Sequence, residues 1–374
     1  MTDFNLNITM NSSNAATEAV WKTLGTFYKI IYRGYFTFLI VFGTSFNILA
    51  AIILLRPKLR RFSTCRYMAV CSILNVGVLL TNTLYMMLVM GFNIDIRGTV
   101  FWCRMHVFIS QWFRGFASWT LVIVAIDRYK RSRSLRPKTS SKNNSNSEII
   151  IVCIAGLILI FPNIHYLVLI GDYVKLESDG QIVNHYACTF LKNNTNSLHS
   201  WLASSNAWLE LITIIFIPSI LTLIFNIFII KNSFISSMHN EHLQSRSRSR
   251  TRRVTTMLLA SNIGFLALVS PAQIFYALTF DPVQIKSHEI NFFSYMIKAQ
   301  LYQCLINTYY AMNFVLCFAS SSIFRREIKK FIVNNHLNGR LDTASNNRKR
   351  STERESETAI ILGKKRLTES TIDT

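Results

Sequence analysis

Residues 35–55, YFTFLIVFGTSFNILAAIILL, contain no Asp, Glu, Lys or Arg, and they decide the fold class. A bilayer core about 30 Å thick needs about 20 helical residues at a rise of about 1.5 Å each, and this stretch is long enough. Six further stretches are long enough, 67–92, 105–126, 149–171, 211–230, 254–280 and 299–324. Five of them contain no charged residue, and 105–126 contains only Arg114, near its middle. We therefore predict seven transmembrane helices.

The composition agrees with a membrane protein. Half of the 374 residues are apolar and only 16% are charged, whereas globular domains carry about 25% charged residues. The net charge of +21 would suit a membrane surface or a nucleic acid. The basic tract QSRSRSRTRR at 244–253 is similar to RNA-binding tracts, but it lies between two predicted spans. We interpret it as a loop that meets anionic lipids or a protein partner, and we expect no nucleic acid.

The distribution of Lys and Arg predicts the orientation, because basic residues beside a span resist translocation. Loops 56–66, 128–148 and 231–253 hold 18 such residues, and the alternate loops hold 6. The tail from Arg325 adds 12 to the basic side, while residues 1–34 add 3 to the other. We therefore predict a multi-pass protein of the plasma membrane with an extracellular amino terminus and a cytoplasmic carboxyl terminus.

The sequence gives no sign of an enzyme. It contains no HExxH, GxSxG or Walker motif, and its eight His residues lack the spacing of metal ligands. Seven Cys residues are too few for a disulfide scaffold, although one bridge is possible. We expect no catalytic residue, no cofactor and no metal.

Asp127-Arg128-Tyr129 closes the third span at its inner edge. An acid beside a guanidinium there can hold Arg128 in one state and release it in another, as a two-state switch requires. The alternative is a simple cluster of charges that stops membrane insertion. The tripeptide alone does not decide between the two.

Arg114 lies fourteen residues before Arg128, which is four helical turns, so both side chains share one face about 21 Å apart. A charge at this depth costs about 2.5–3.5 kcal/mol on insertion scales, and it should therefore face the bundle interior and find a partner. Glu210, just outside the fifth span, is one candidate, and an acidic ligand is another. Structural pairing, direct ligand contact and a wider polar network all remain open.

Taken together, the motifs resemble those of the rhodopsin-like family of G-protein-coupled receptors over about residues 30–335. Arg128 follows Cys103 by 25 residues, which is similar to the family's spacing for the cysteine of the third helix. The resemblance implies a disulfide from Cys103 to Cys188 in the second outer loop. The resemblance also extends to residues that the family places in the bundle core and in the activation switch. These are Asn47, Pro218, Phe265, Pro271 and Asn313, which opens NFVLC, a degenerate form of the NPxxY element.

Some positions depart from the family pattern. Asn75 stands where the family has Asp, so the buried carboxylate that usually holds a sodium ion is missing. Ser110 stands where receptors for amines carry Asp, so the anchor for a cationic amine is missing too. Phe314 and Cys317 replace the Pro and Tyr of NPxxY. In lacking the amine anchor and in having a long second outer loop, the chain resembles neuropeptide receptors.

The resemblance implies an all-α membrane protein, a seven-transmembrane helix bundle at 35–324 followed by a short amphipathic eighth helix at 325–335. An extracellular ligand, a peptide by this resemblance, would bind near Ser110, Arg114 and Glu210. A heterotrimeric G protein would bind at the inner face. The extracellular segment 1–34 and a disordered cytoplasmic tail at 336–374 complete the chain, and phosphorylation of the tail could recruit arrestin.

Three alternatives stay open. The chain could be an orphan or decoy receptor for a small acidic ligand, with weak or no G-protein signalling. A retinal protein would need a Lys deep in the seventh span, but Asn307 stands there and Lys298 lies at the outer mouth. A small transporter would favour paired intramembrane charges or internal repeats.

Overall fold

A computed structural model describes residues 15–133, 144–178, 181–190, 205–239, 245–279 and 289–333. The expected tail at 336–374 and residues 1–14 lie outside this part of the chain. The chain divides into two compact units, Met1–Ser321 and Ser322–Thr374, and each is described by itself.

Within the described residues of the first unit, seven helical segments follow one another, and we number them α1 to α7. Several combine α-helical pieces with a wider π-helical turn. The segments are α1 (Ala15–Ile30, Ile31–Tyr35 and Phe36–Leu54), α2 (Ser63–Val78, Leu79–Thr83, Leu84–Met86 and Met87–Gly91), α3 (Val100–Arg133), α4 (Asn144–Ile158, Phe161–Asn163 and His165–Leu169), α5 (205–210, Leu211–Phe216 and Ile217–His239), α6 (Ser245–Thr279) and α7 (Glu289–Ala311 and Asn313–Ser320).

Six of these helices are long and apolar enough to cross a membrane among the described residues, and together with α7 they give the predicted bundle of seven. The seventh predicted span, 299–324, is not one continuous helix. It is interrupted by a turn at Met312, whose N–H bonds to the carbonyls of Thr308 and Tyr309. Helix α1 begins about twenty residues before its uncharged stretch, because helix formation does not require an apolar sequence.

The surface of the bundle is rich in apolar side chains, and several polar side chains are buried within its largely apolar core. Large apolar side chains such as Phe38 and Ile52 are exposed, whereas Asn47, Asn75 and Asn307 are buried in the interior. In hydrocarbon an unpaired polar group costs several kcal/mol, so polar side chains turn towards one another and apolar ones towards lipid. The burial pattern therefore supports the membrane assignment independently of helix length.

Helix α3 is the centre of the bundle. It packs against α2, α4, α5 and α6, and it is the most buried of the six long apolar helices, while α4 is the least. Helix α7 packs against α1, α2 and α6. Any group on α3 therefore lies within reach of most other helices.

The prediction of an all-α chain needs one addition, a β-hairpin between α4 and α5. Strand β1 (Ile170–Ser178) pairs antiparallel with β2 (Gln181–Phe190). A register shift follows Ile170, and Gly171 has φ 79°, a conformation that favours glycine. A disulfide joins Cys103 at the start of α3 to Cys188 in β2, which confirms the predicted pair. We call this side the hairpin end of the bundle and the other side the opposite end.

Proline shapes two of the helices. The π-helical turn Leu211–Phe216 ends two residues before Pro218, which lacks an N–H and whose ring crowds the preceding turn. In α4, Pro162 lies in the 3-10 turn Phe161–Asn163 that separates the two α-helical pieces. Helix α6, by contrast, continues through Pro271.

The second unit includes a helix at residues 322–333, close to the amphipathic helix predicted at 325–335. Phe324 and Ile328 are buried, and Arg326, Lys329 and Lys330 are exposed. Glu327 is also buried, and Ile332 and Val333 are exposed, so the two faces are only partly separated and the amphipathic helix stays a prediction.

Candidate functional site

A polar cluster surrounds Arg114 between α3, α4 and α5. Glu210 Oε2 lies 3.3 Å from Arg114 Nη2. Glu210 Oε1 accepts hydrogen bonds from Gln111 Nε2 at 2.6 Å, the Tyr166 hydroxyl at 2.8 Å and Asn206 Nδ2 at 3.0 Å. Arg114 also donates to Gln111 Oε1. We call these five residues the Arg114 cluster.

The cluster places two opposite charges in a nearly dry site. The side chains of Arg114 and Glu210 are 14% and 15% exposed. Glu210 is well compensated because one of its oxygens accepts three hydrogen bonds from uncharged donors. Arg114 is compensated less well, since its Nε is buried without a partner among the described residues. A buried donor left unsatisfied costs about 1–3 kcal/mol.

The Arg114 cluster is connected to the hairpin end through Tyr166. The ring of Tyr166 packs in one buried cluster with Ile170 and the disulfide pair Cys103 and Cys188, and its single O–H has two acceptors within 2.8 Å, Glu210 Oε1 and Asn206 Oδ1. The Cα atoms of the two cysteines are 5.8 Å apart. Displacement of the hairpin would therefore move a hydrogen-bond donor of Glu210.

The sequence identified the two charges of the cluster but not its uncharged members. Gln111 precedes Arg114 by three residues and Asn206 precedes Glu210 by four, so helical spacing could have indicated both. Tyr166 could not be found in this way, because its place depends on how α4 packs. Ser110 is buried but takes no part in the hydrogen bonds of the cluster.

A second group of charges lies at the opposite end of the bundle, at the ends of α2, α3 and α4. Asp127 accepts a hydrogen bond from Ser63 at 2.5 Å and pairs with Arg131 at 3.1 Å. Glu148 pairs with Arg66 through two contacts of 2.5 Å, and it lies 3.5 Å from Arg131. We call these five residues the Asp127 network.

In this structure Asp127 pairs with Arg131 and Ser63 rather than with its neighbour Arg128, and the two-state switch stays a prediction. Adjacent residues of a helix point about 100° apart, whereas residues four apart share a face, so Arg131 is the better placed partner. Arg128 Nε is buried without a partner among the described residues. The ring of Tyr129 contacts Phe225 and Phe228 of α5. The tripeptide thus spreads its side chains over three different environments.

Buried amides connect the middle of the bundle. Asn47 Nδ2 donates to Gly43 O at 2.7 Å and to Tyr310 O at 3.0 Å, which joins α1 to α7. Asn313 Nδ2 donates to Ser72 Oγ at 2.8 Å, which joins α7 to α2. Asn75 is buried, and its Oδ1 has no partner among the described residues.

Two further predicted residues, Phe265 and Pro271, lie on α6. Phe265 is 2% exposed, and its ring meets that of Tyr309 edge to face at 5.2 Å between centroids. Pro271 is on the exposed surface of its helix, and Pro218 of α5 is buried. Within the described ranges no three His, Cys, Asp or Glu residues come together as metal ligands would.

Membrane-length helices, buried polar groups and a disulfide-anchored loop fit a seven-helix receptor fold, although a fold alone does not establish function. The model of the family described as "Serpentine type 7TM GPCR chemoreceptor Srw" matches residues 35–335 of the chain. The chain therefore belongs to the Srw family of serpentine 7TM chemoreceptors. This confirms the prediction of a G-protein-coupled receptor, but it does not support the rhodopsin-like neuropeptide subgroup. Chemoreceptors of this type are generally not enzymes. A search of curated proteins found no match.

Proposed function

We propose that this chemoreceptor binds an extracellular ligand at the hairpin end of the bundle and activates a heterotrimeric G protein from the opposite end. The observation that carries the proposal is the position of the two charged groups on one central helix. Arg114 and Asp127 both belong to α3, and each is hydrogen-bonded to side chains of other helices. A ligand that prefers one arrangement of α3 shifts the balance between states only by its difference in affinity.

Several observations favour a peptide as the ligand, in line with the likeness to rhodopsin-like neuropeptide receptors. Ser110 cannot anchor a cationic amine as a carboxylate would. The hairpin has only two strands, so each has one edge without a partner strand in the described sheet. An extended peptide can pair with such an edge through its backbone.

The G protein would contact the end of the bundle that carries Asp127, Arg128 and Tyr129. This end is assigned to the cytoplasm by the excess of Lys and Arg in its loops and in the carboxyl-terminal tail. The plasma membrane location, the extracellular segment 1–34 and the phosphorylated tail that would bind arrestin are parts of the same proposal. Phe265 and Pro271 would serve the movement of α6, and Asn313 that of α7.

The experiment is a screen of a neuropeptide library against cells that express the full chain, with nucleotide exchange on the G protein as readout. We expect at least one peptide to stimulate exchange with the wild type and not with Arg128→Ala at equal surface expression. Equal stimulation of Arg128→Ala would contradict the assigned switch. Peptide binding without any exchange would instead favour a decoy receptor.

The other candidate functions have weaker support. At the position of the retinal Lys, Asn307 is buried and accepts hydrogen bonds from Asn82 and Thr83, so it belongs to a polar contact between α2 and α7. An absorption band after incubation with retinal would revive that alternative. Ligand-gated flux in liposomes would favour a transporter.

A further inference from the structure

Two guanidinium groups of the Asp127 network are held side by side. Arg66 Nη2 and Arg131 Nη2 both contact Glu148 Oε1, at 2.5 and 3.5 Å, so these two nitrogens are at most about 6 Å apart. Glu148 Oε2 accepts a further hydrogen bond from Arg66 Nε at 2.5 Å. The side chain of Glu148 is 9% exposed, whereas those of Arg66 and Arg131 are 25% and 51% exposed. One nearly buried carboxylate therefore orders two cations that stay partly exposed.

The loop between α1 and α2 adds two more arginines at this place. Arg66 Nη1 donates to the Arg60 carbonyl at 2.7 Å, which fixes the loop against α2. The N–H groups of Leu59 and Arg60 both bond to the Arg56 carbonyl at 2.9 Å, and Leu59 is buried, so the loop is a compact turn. Arg60 and Arg61 are exposed. The turn that Arg66 holds in place therefore carries two exposed arginines.

Positive charge exceeds negative charge in this group. We call its four arginines the arginine patch: Arg60, Arg61, Arg66 and Arg131. Within the described part of the chain, two carboxylates contact the patch, those of Asp127 and Glu148. Two like charges held this close repel each other, and an anion that contacts both relieves the repulsion. A phosphate group suits this role, because its oxygens match the planar fork of a guanidinium.

Lipid-facing side chains border the arginine patch. Ile149 and Ile150 directly follow Glu148 in α4, and both are exposed. Leu55, which directly follows α1 and precedes the loop, is exposed as well. Helix α4 is also the least buried of the six long apolar helices. Since exposed apolar side chains of a span face hydrocarbon, the patch lies where the hydrocarbon gives way to lipid headgroups.

We propose that the arginine patch binds the phosphorylated headgroup of an anionic phospholipid, a phosphoinositide, whose acyl chains lie against α4. The inference goes beyond the proposed function, because binding of a membrane lipid requires neither the extracellular ligand nor a G protein. A phosphomonoester carries a charge of about −1.5 to −2 and three acceptor oxygens, more than the phosphodiester of other lipids. Lipids with phosphomonoesters should therefore bind in preference to phosphatidylserine.

The test measures lipid binding to the full-length receptor in a neutral detergent by native mass spectrometry. The probes are dioctanoyl phosphatidylinositol bisphosphate, dioctanoyl phosphatidylserine, and inositol trisphosphate as the free headgroup. We expect the bisphosphate lipid to bind at least about tenfold more tightly than the serine lipid. The free headgroup should bind more weakly than the bisphosphate lipid, because it lacks the chains that contact α4.

A second measurement locates the lipid. A phosphoinositide with a photoreactive group in its acyl chain is incorporated with the receptor into nanodiscs, and the cross-linked peptides are mapped. We expect labelling within residues 149–158 of α4. Labelling beside the basic tract 244–253 in place of α4 would assign the lipid to that tract and overturn the inference.

Variants distinguish the arginine patch from the general positive charge of this end. The double variant Arg60→Gln and Arg61→Gln should weaken binding of the bisphosphate lipid at least about tenfold, and Arg131→Gln about threefold to tenfold. The matched control is Arg133→Gln, which removes the same charge. Arg133 lies two residues after Arg131, so it points about 200° away around α3, and its guanidinium lies 5.8 Å from the centre of the Tyr129 ring. This control should change the affinity less than about twofold.

The inference is overturned by equal binding of the wild type and the double variant, or by a loss in Arg133→Gln as large as that in Arg131→Gln. Equal affinity for the free headgroup would also overturn it, since a soluble phosphate would then suffice. Binding of a polyglutamate peptide with the same dependence on Arg60 and Arg61 would indicate an acidic protein instead. The double variant carries the test if Arg131→Gln does not fold, because the turn uses the backbone carbonyl of Arg60.

Discussion

At the scale of single residues, a charged side chain does not always pair with its neighbour in the sequence. Asp127 and Arg128 are adjacent in the sequence, yet Asp127 pairs with Arg131 and Ser63 because those side chains lie on its own face or opposite to it. Arg128 is left with a buried Nε. No acceptor bonds this Nε among the described residues, so under the proposed function it would be available to a protein bound at that end.

The two arginines of the Asp127 network should contribute unequally to stability. Arg66 makes two contacts of 2.5 Å to Glu148 and is 25% exposed, whereas Arg131 makes longer contacts and is 51% exposed. We expect Arg66→Gln to lower the free energy of unfolding by about 1–3 kcal/mol and Arg131→Gln by less than about 1 kcal/mol.

Thermal unfolding of the two purified variants in detergent checks this order, with the wild type measured alongside. The double variant tests the shared carboxylate, because both arginines contact Glu148 and their effects should not simply add. A larger loss in Arg131→Gln than in Arg66→Gln would show that the geometry of the network is misjudged.

The residue scale also shows what a sequence can reveal. The pair of Arg114 and Glu210 was predictable, because a charge deep in a membrane needs a partner and the fifth span begins with the nearest acid. The three hydrogen bonds that hold Glu210 in place were only partly predictable. Tyr166 reaches Glu210 only through the packing of α4 on α3, and no local pattern encodes that packing.

At the scale of elements, uncharged length predicted the helices well because the bilayer imposes the same requirement on every span. The same uncharged length predicted the ends of the helices poorly. Helix α1 starts at Ala15 and helix α6 at Ser245, both in polar sequence outside the uncharged stretches. The turn at Met312 was not predicted either, because NFVLC lacks the proline that would explain a break.

Helices α1 and α7 meet closely at Gly43. A Cβ built at Gly43 would lie 2.8 Å from the Ala311 Cβ and 3.2 Å from its Cα. Backbone on the facing helix cannot yield as a flexible side chain can, so we expect Gly43→Ala to lower the free energy of unfolding by about 1–3 kcal/mol.

Gly264→Ala provides the matched control on α6. Its new Cβ would meet the Leu316 side chain at 3.4 Å, which is an ordinary contact. Since alanine also favours a helix by about 1 kcal/mol, this variant should be neutral or stabilising. Measurement of both melting temperatures tests the pair, and equal destabilisation by the two substitutions would argue against a tight contact between α1 and α7.

At the scale of the whole molecule, apolar side chains are abundant on the surface and in the core of the bundle, so we expect the charges of the loops to determine its orientation in the bilayer. The loops of the opposite end and the tail hold most of the Lys and Arg residues. We expect an epitope at the amino terminus to be labelled on intact cells, and one at the carboxyl terminus only after permeabilisation.

As a control for this experiment, a further epitope is inserted between residues 281 and 288, in a loop predicted to be extracellular. It should be labelled together with the amino terminus. Labelling of the carboxyl terminus on intact cells would reverse the assignment of the two ends, and with it the places proposed for the ligand and the G protein.

The hydrogen bonds of Glu210 have a consequence for how such receptors diversify. Three uncharged neighbours keep that acid in place whether or not position 114 is cationic. A codon change at 114 would therefore alter the charge balance of this site more than the place of the carboxylate, because the neutral donors that hold Glu210 belong to other positions.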